Sequence, residues 1–105
     1  MFTQRDIIEQ LKQLSNEIIS KGINLKKVIL YGSYAKNLQR EDSDIDVAIV
    51  ADEFIGFAYE DIKLINDILL KNINIQPKTY PTEYFNQGDP FIEEIKKTGI
   101  EIPVG

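Results

Sequence analysis

Tyr31-Gly-Ser-Tyr-Ala-Lys36 and Ser43-Asp-Ile-Asp-Val47 are the two segments that predict how the chain folds. The first begins at the end of Lys27–Tyr31, a β-branched apolar run that predicts a short buried strand closed by a sharp Gly-Ser turn. The second lies at the start of Asp44–Val50, which has the composition of another strand. Because a short polar connector joins the two strands, the start of the second strand can return to the glycine turn.

Asp44 and Asp46 lie two residues apart on the second predicted strand, so their carboxylates leave the same face of the sheet. Ile45, Val47 and Ile49 point to the opposite face, into the core. Two carboxylates side by side in a partly desolvated site repel each other unless a cation lies between them. Since the sequence has no His and no Cys, ligation by oxygen alone indicates Mg²⁺ or Mn²⁺.

Gly32 and Ser33 lie just beyond the first predicted strand. A glycine lets backbone N–H groups approach a ligand closely, and Ser33 can cap the short turn that follows. Such donors form an anion site suited to phosphate. Taken singly, a Gly-Ser is often an ordinary turn and an Asp-x-Asp a solvated strand edge. Together, a phosphate cradle facing a carboxylate pair is typical of metal-assisted phosphoryl or nucleotidyl transfer.

The composition excludes several other kinds of chemistry. The 105 residues include no Cys and no His, which excludes a disulfide scaffold, zinc–thiolate sites, thiol catalysis and imidazole bases. What remains is chemistry on carboxylates, hydroxyls, Lys or Arg, with an oxygen-binding metal. At this length we expect a single domain, residues 1–105, with one core.

The charge and hydropathy patterns bear on partners and location. The formal net charge is −5, which argues against a broad nucleic-acid surface. The sequence has no apolar run of transmembrane length and no signal-peptide pattern at its start. We therefore expect a soluble, cytoplasmic protein without a membrane partner.

Helical and strand periodicities alternate along the rest of the chain. Thr3 predicts a helix start, with Asp6 completing a capping box and Gly22 ending the helix. Two further helices are predicted, over Ala58–Asn72 and, after the Asp89 N-cap, over Phe91–Thr98. Two further strands are predicted over Ile73–Gln76 and Ile100–Val104. Pro77 confines the first of these strands to an edge, a bulge or a strand end. The fold class is α/β (α+β), a small mixed sheet flanked by helices.

Two groups of aromatic residues have more than one interpretation. Phe54, Phe57 and Tyr59 follow the carboxylate strand, and they predict core packing or a lid in preference to base stacking. The second group consists of Tyr80, Tyr84, Phe85 and Phe91. It forms either an exposed patch that docks a partner or a satellite core under a loop.

The sequence resembles the minimal nucleotidyltransferase domains, relatives of the DNA polymerase β superfamily. The resemblance is carried by Gly32-Ser33, ten intervening residues and Asp44-Ile-Asp46, and by the C-terminal stretch from Asp89-Pro90-Phe91 to Gly99-Ile100. It implies the nucleotidyltransferase fold and metal binding by the two aspartates. The implied reaction transfers a nucleoside monophosphate from a triphosphate, expected to be ATP, to a hydroxyl. Gly32, Ser33 and Lys36 would bind the nucleotide. Such domains often form toxin–antitoxin-like pairs with a helical HEPN protein, and tRNA and protein are both candidate acceptors.

The chain departs from the family pattern in two places. Lys36 and Asn37 stand where the family usually has Arg-Gly, and Lys lacks the bidentate fork of Arg. The family's third carboxylate is also missing, because its predicted position holds Gln76, an amide that cannot act as a general base. The remaining nearby acids, Glu60, Asp61 and Glu83, are predicted to be surface residues. Two hypotheses follow: an active nucleotidyltransferase, or a weakly active or inactive module that binds nucleotide and a partner.

Overall fold

A four-stranded mixed sheet organises the computed structural model, which describes residues 2–72 and 74–104. The strands are β1 (Leu25–Tyr31), β2 (Ile45–Ala51), β3 (Ile75–Pro81) and β4 (Ile100–Ile102). The helices are α1 (Gln4–Ser20), α2 (Ala58–Lys63), α3 (Asn66–Leu69), α4 (Thr82–Gln87) and α5 (Pro90–Thr98). The predicted α+β class, a small mixed sheet flanked by helices, is confirmed.

The strand order, β3-β2-β1-β4, brings three strand ends together. β1 runs antiparallel to β2 and to β4, whereas β2 and β3 are parallel. Tyr31 at the end of β1 lies opposite Asp46, and Asp46 lies beside Gln76 near the start of β3. We call this edge the Asp46 end of the sheet.

Helix α1 forms as the sequence predicts. The Thr3 side chain accepts a hydrogen bond from the Asp6 backbone, and the Asp6 side chain accepts one from the Thr3 backbone, so the capping box is complete. Gly22, with φ +86°, follows the C-cap residue Lys21. The buried face of the helix packs on the sheet through Ile7, Leu11, Leu14 and Ile18.

Both faces of the sheet are covered by helices. Ile45, Val47 and Ile49 point into the larger core beneath α1, as expected. On the other face, a second cluster is formed with residues of α4 and α5: Ile29, Ala48, Val50, Tyr80, Phe85, Ile92 and Ile95. Asp46 precedes Ala48 and Val50 on this second face, which we call the α5 face.

The predicted continuous helix over Ala58–Asn72 is wrong. The chain forms α2 and α3 instead, and Ile65 between them has φ −128° and ψ 13°, outside the helical region. The inward-facing residue of α2 is Asp61, whereas Ala58 is exposed and Ile62 is only partly buried. Hydrogen bonds that the Asp61 carboxylate accepts from other elements fix α2 in an orientation that the apolar stripe did not predict.

The prediction for β3 had the wrong boundaries. The strand begins at Ile75 and continues through Pro77 to Pro81, while Ile73 lies outside the described residues. Pro77 is tolerated because β3 is an edge strand, one of the places where a residue without an N–H can sit. Of the three positions that the sequence left open for this strand, the structure shows the edge.

The aromatic residues divide between the core and the surface. Phe54, Tyr80 and Phe85 are buried. Phe57 and Tyr59 are exposed, so the expectation of core packing is wrong for these two residues. The second aromatic group contributes to the core on the α5 face, and it lies partly on α4, a helix that the sequence did not predict.

No helix within residues 2–72 and 74–104 combines the length and apolar character needed to cross a membrane.

Candidate active site

The chain turns sharply after β1 at Gly32, whose φ is +74°. The Lys36 N–H donates to the Gly32 carbonyl at 3.2 Å, and the Leu38 N–H donates to the Ser33 carbonyl at 2.9 Å. The segment that begins at Ser33 is therefore one turn rather than a helix of several turns. Lys36 is exposed on this turn.

Gly32 and Asp46 are in direct contact. A Cβ atom placed on Gly32 would overlap Asp46 Oδ2 and would lie 3.1 Å from Asp46 Cγ. The positive φ and this close approach both require glycine at position 32. The structure therefore brings the predicted phosphate turn and the predicted metal ligand together, as the antiparallel return of β2 requires.

Asp44 and Asp46 are close enough to interact electrostatically. Burial raises the pKa of Asp46, and the negative charge of Asp44 raises it further. Asp44 is exposed just before β2, whereas Asp46 is partly buried on the strand. The carboxylate pair thus carries unrelieved negative charge, which a cation or a cationic ligand would stabilise.

Asp46 lies in the middle of a cross-strand row, flanked by Tyr31 on β1 and Gln76 on β3. Burial raises the pKa of the Tyr31 phenol, and the charge of Asp46 adds to the increase. Gln76 is exposed beside Asp46, where a third carboxylate would have completed the row. Its amide can donate and accept hydrogen bonds but cannot take up a proton at neutral pH.

Asn37 stands where the family pattern has glycine. Its φ is +58°, in the left-handed region that Asn tolerates better than most residues other than Gly. The substitution therefore preserves the backbone shape of the turn.

The other nearby acids have different environments. Glu60 and Glu83 are exposed, as predicted. The prediction that Asp61 is a surface residue is wrong, because only 1% of it is exposed. Its carboxylate accepts hydrogen bonds from the Ile55 and Gly56 N–H groups, both at 2.9 Å, and from Thr79 Oγ1 at 2.8 Å. Asp61 therefore anchors the loop after β2 to β3.

The donor set at the Asp46 end fits a hard cation that binds together with phosphate. Within residues 2–72 and 74–104, no group of three or more His, Cys, Asp or Glu side chains is arranged to hold a metal ion. Asp44 and Asp46 supply two carboxylates, and Mg²⁺ is commonly held by one or two carboxylates with substrate phosphates and water. The overlap that a Cβ on Gly32 would make shows that the carboxylate of Asp46 is held at the turn.

A cleft of about 640 Å³ lies along β3, and it was not predicted from the sequence. Its lining includes Tyr31 and Gln76 from the Asp46 row, together with Lys78, Tyr84 and Phe91. The available signal was the alternation of Gln76, Lys78 and Tyr80, which places these side chains on the same face as Asp46. The expectation that the strand ends near Pro77 concealed this alternation.

The chain matches the family model of the nucleotidyltransferase domain over residues 6–102, and it belongs to that family. This membership confirms the resemblance seen in the sequence and identifies the chain as a transferase of the nucleotidyltransferase class.

Two proteins of Methanocaldococcus jannaschii are similar over most of the chain, and both are provisionally named protein adenylyltransferases. One is 34% identical over 102 residues, which cover 92% of this chain and 99% of the relative. The other is 39% identical over 79 residues, which cover 73% of this chain and 76% of the relative.

Two solved structures share the fold. A provisionally assigned nucleotidyltransferase from Sulfolobus solfataricus superposes with a TM-score of 0.68 at 17% identity, covering 93% of this chain and 80% of the other. A chain in the crystal structure of a toxin-antitoxin with AMP-PNP superposes with a TM-score of 0.61 at 15% identity, covering 90% and 73% of the two chains. At these identities the likeness establishes the fold alone.

Proposed function

We propose that this chain transfers an adenylyl group from ATP to a hydroxyl of a protein acceptor, with a divalent cation held by Asp44 and Asp46. The observation that carries the proposal is the contact between Gly32 and the Asp46 carboxylate, which joins a phosphate-binding type of turn to a carboxylate pair. The names of the two archaeal relatives support adenylyl transfer and a protein acceptor.

The reaction would proceed by one substitution at phosphorus. The acceptor hydroxyl oxygen forms a bond to the α-phosphorus, the bond from that phosphorus to the α,β-bridging oxygen breaks, and pyrophosphate leaves with the electron pair. The backbone N–H groups of the turn at Gly32 and Ser33 would bind the β- and γ-phosphates, with Lys36 near them. Mg²⁺ or Mn²⁺, when bound, supplies charge neutralisation and polarises the phosphoryl group.

The proton of the acceptor hydroxyl has no carboxylate to receive it at position 76. Gln76 can hold the hydroxyl by a hydrogen bond, but the proton must pass to water. General-base catalysis contributes typically about 10²- to 10⁴-fold to a rate. We therefore expect the isolated chain to transfer the adenylyl group slowly.

Replacement of the Asp46 carboxylate by a neutral amide tests the site. Asp46→Asn is expected to abolish Mg²⁺-dependent ATP binding, measured by calorimetry. Asp42→Asn is the matched control, because Asp42 is exposed and lies outside the proposed site. ATP binding by Asp46→Asn equal to that of the control would exclude Asp46 as a metal ligand.

The second candidate function is a binding module that retains nucleotide without transferring it. The observation that favours it is Gln76 in register with Asp46. Gln76→Asp restores the carboxylate, so a negligible wild-type rate that rises in this variant supports the module. Ready transfer by the wild type, measured with radiolabelled ATP, GTP, CTP and UTP and Mg²⁺, rejects it and also gives the base preference.

We also propose that the chain acts as the antitoxin-like half of a pair with a helical HEPN protein. The shared fold with a chain of a toxin-antitoxin structure supports this role. Co-purification with the HEPN protein, and labelling of that protein in the transfer assay, are the expected results. Absence of both a complex and labelling would reject the pairing while leaving nucleotide binding untouched.

A further inference from the structure

The cleft along β3 adjoins the carboxylate pair. Tyr31 and Gln76 flank Asp46 in the cross-strand row, and both line the cleft. From this row the cleft extends along the α5 face past Lys78 and Tyr80. A ligand anchored at Asp46 therefore has an adjoining space of about 640 Å³ to occupy, within the size range of small-molecule sites.

Aromatic rings form the walls of this cleft. Tyr31 and Phe91 meet edge to face with their centroids 5.8 Å apart, while Tyr80 and Tyr84 lie nearly parallel with centroids 6.1 Å apart. Tyr84 and Phe91 are each 46% exposed, so part of each side chain is open to solvent. Lys78 Nζ lies 5.1 Å from the Phe91 ring centroid, which places a cation beside the wall.

One of the residues that line the cleft, Tyr80, carries a buried polar group. Only 5% of Tyr80 is exposed. Its hydroxyl is buried and has no hydrogen-bond partner within the described part of the chain. Burial raises the pKa of Tyr80, and the neighbouring Asp89, Tyr31 and Tyr84 add to the increase. A buried hydroxyl without a partner is destabilising, and such a group in a native fold calls for an explanation.

We propose that this cleft receives the nucleobase of the donor nucleotide, stacked on Phe91 and Tyr84, with a polar edge of the base bonded to the Tyr80 hydroxyl. The inference rests on the proposed function, because the phosphates at the Asp46 end place the nucleoside. A base is joined to the α-phosphate through one ribose, and the cleft begins in the same row as Asp46. Aromatic faces bind bases by stacking. The Tyr84 ring and Lys78 Nζ both lie beside the Tyr80 ring, so the base would reach the Tyr80 hydroxyl by displacing these two exposed side chains.

The experiment compares two probes by calorimetry in the presence of Mg²⁺: a non-hydrolysable α,β-methylene ATP and inorganic triphosphate. Triphosphate reports the phosphate and metal site alone, so the ratio of the two affinities measures the nucleoside contribution. Phe91→Ala is expected to weaken binding of the ATP analogue by about fivefold or more. Tyr80→Phe is expected to weaken it by about two- to tenfold, and neither variant should change the affinity for triphosphate.

Matched controls and a stability measurement separate this role from a structural one. Tyr59→Phe removes the hydroxyl of an exposed tyrosine that does not line the cleft, and it should leave both affinities unchanged. Tyr80→Phe should melt at the same temperature as the wild type or higher, because it removes a buried hydroxyl without a partner. Lower affinity together with undiminished stability identifies a group kept for ligand binding.

The possible failures are distinguishable. Equal wild-type affinity for the analogue and for triphosphate, or unchanged affinity in both cleft variants, would overturn the base assignment and leave the proposed function standing. Failure of the wild type to bind either probe would overturn the proposed function and this inference with it.

Discussion

Replacement of Gly32 by alanine should have two effects: strain in the backbone of the turn and displacement of the Asp46 carboxylate. A non-glycine residue at a φ of +74° costs about 1–2 kcal/mol, and part of this is offset because alanine has less freedom than glycine in the unfolded chain. The expected net loss of stability is about 1 kcal/mol, or roughly 4–8 °C in Tm for a domain near 100 residues. The added Cβ also overlaps Asp46 Oδ2, so the carboxylate must move.

Gly22→Ala is the matched control. Gly22 has a φ of +86°, and a Cβ placed there meets nothing within 4 Å. Both variants should therefore lose similar stability from the backbone conformation in urea unfolding followed by circular dichroism. Only Gly32→Ala should lose Mg²⁺-dependent ATP binding, by about tenfold to a hundredfold, the usual cost of disturbing the support of a metal ligand.

The comparison has a clear negative outcome. If Gly32→Ala and Gly22→Ala bind ATP equally well in calorimetry, the contact between Gly32 and Asp46 has no part in nucleotide binding. The site assignment that rests on that contact would then be refuted, whatever the stability of the two variants.

Three further predictions concern the fold around the site. Asp61→Asn should lower the free energy of unfolding by about 2–3 kcal/mol, because an amide cannot accept all the hydrogen bonds that the carboxylate accepts; a loss below about 1 kcal/mol in urea titration would contradict this. Asn37→Ala should cost about 1 kcal/mol at φ +58°, whereas Asn37→Gly should not, and equal Tm values would refute the difference. Hydrogen bonds from Thr3 lower the pKa of Asp6 below its usual 3.8, so its stabilisation is fully present above about pH 4 and is lost as the pH falls through the lowered pKa. The Tm difference between wild type and Asp6→Asn should therefore shrink in acid, and a constant difference would be the contrary result.

The parts of the fold that sequence reasoning predicted are governed by local chemistry. The Thr3–Asp6 capping box fixes the start of α1 from residues three apart. The Gly-Ser turn and the second strand lie close in sequence, so the antiparallel return that joins Gly32 to Asp46 follows from the short connector. The pattern and its spacing were also sufficient to predict the family.

The predictions for the Ala58–Asn72 helix and for β3 were wrong because residues distant in sequence determine the structure there. The apolar stripe over Ala58–Asn72 has helical spacing, but Asp61 bonds to Thr79, eighteen residues away, and α2 ends early. The predicted strand stopped at Gln76, before Pro77. Pro77 can lie within β3 because that strand is at the edge of the sheet, a position that the local sequence does not reveal. The cleft was missed for the same reason: the alternation along β3 has meaning only once its register with Asp46 is known.

The prolines of β3 bear on how copies of this chain behave in solution. An edge strand exposes unpaired backbone groups that can pair with another molecule. Pro77 and Pro81 contribute no N–H, so two of the seven residues of β3 cannot donate to an added strand. The edge beside the candidate site therefore offers fewer backbone donors for association between sheets than the same strand without proline would.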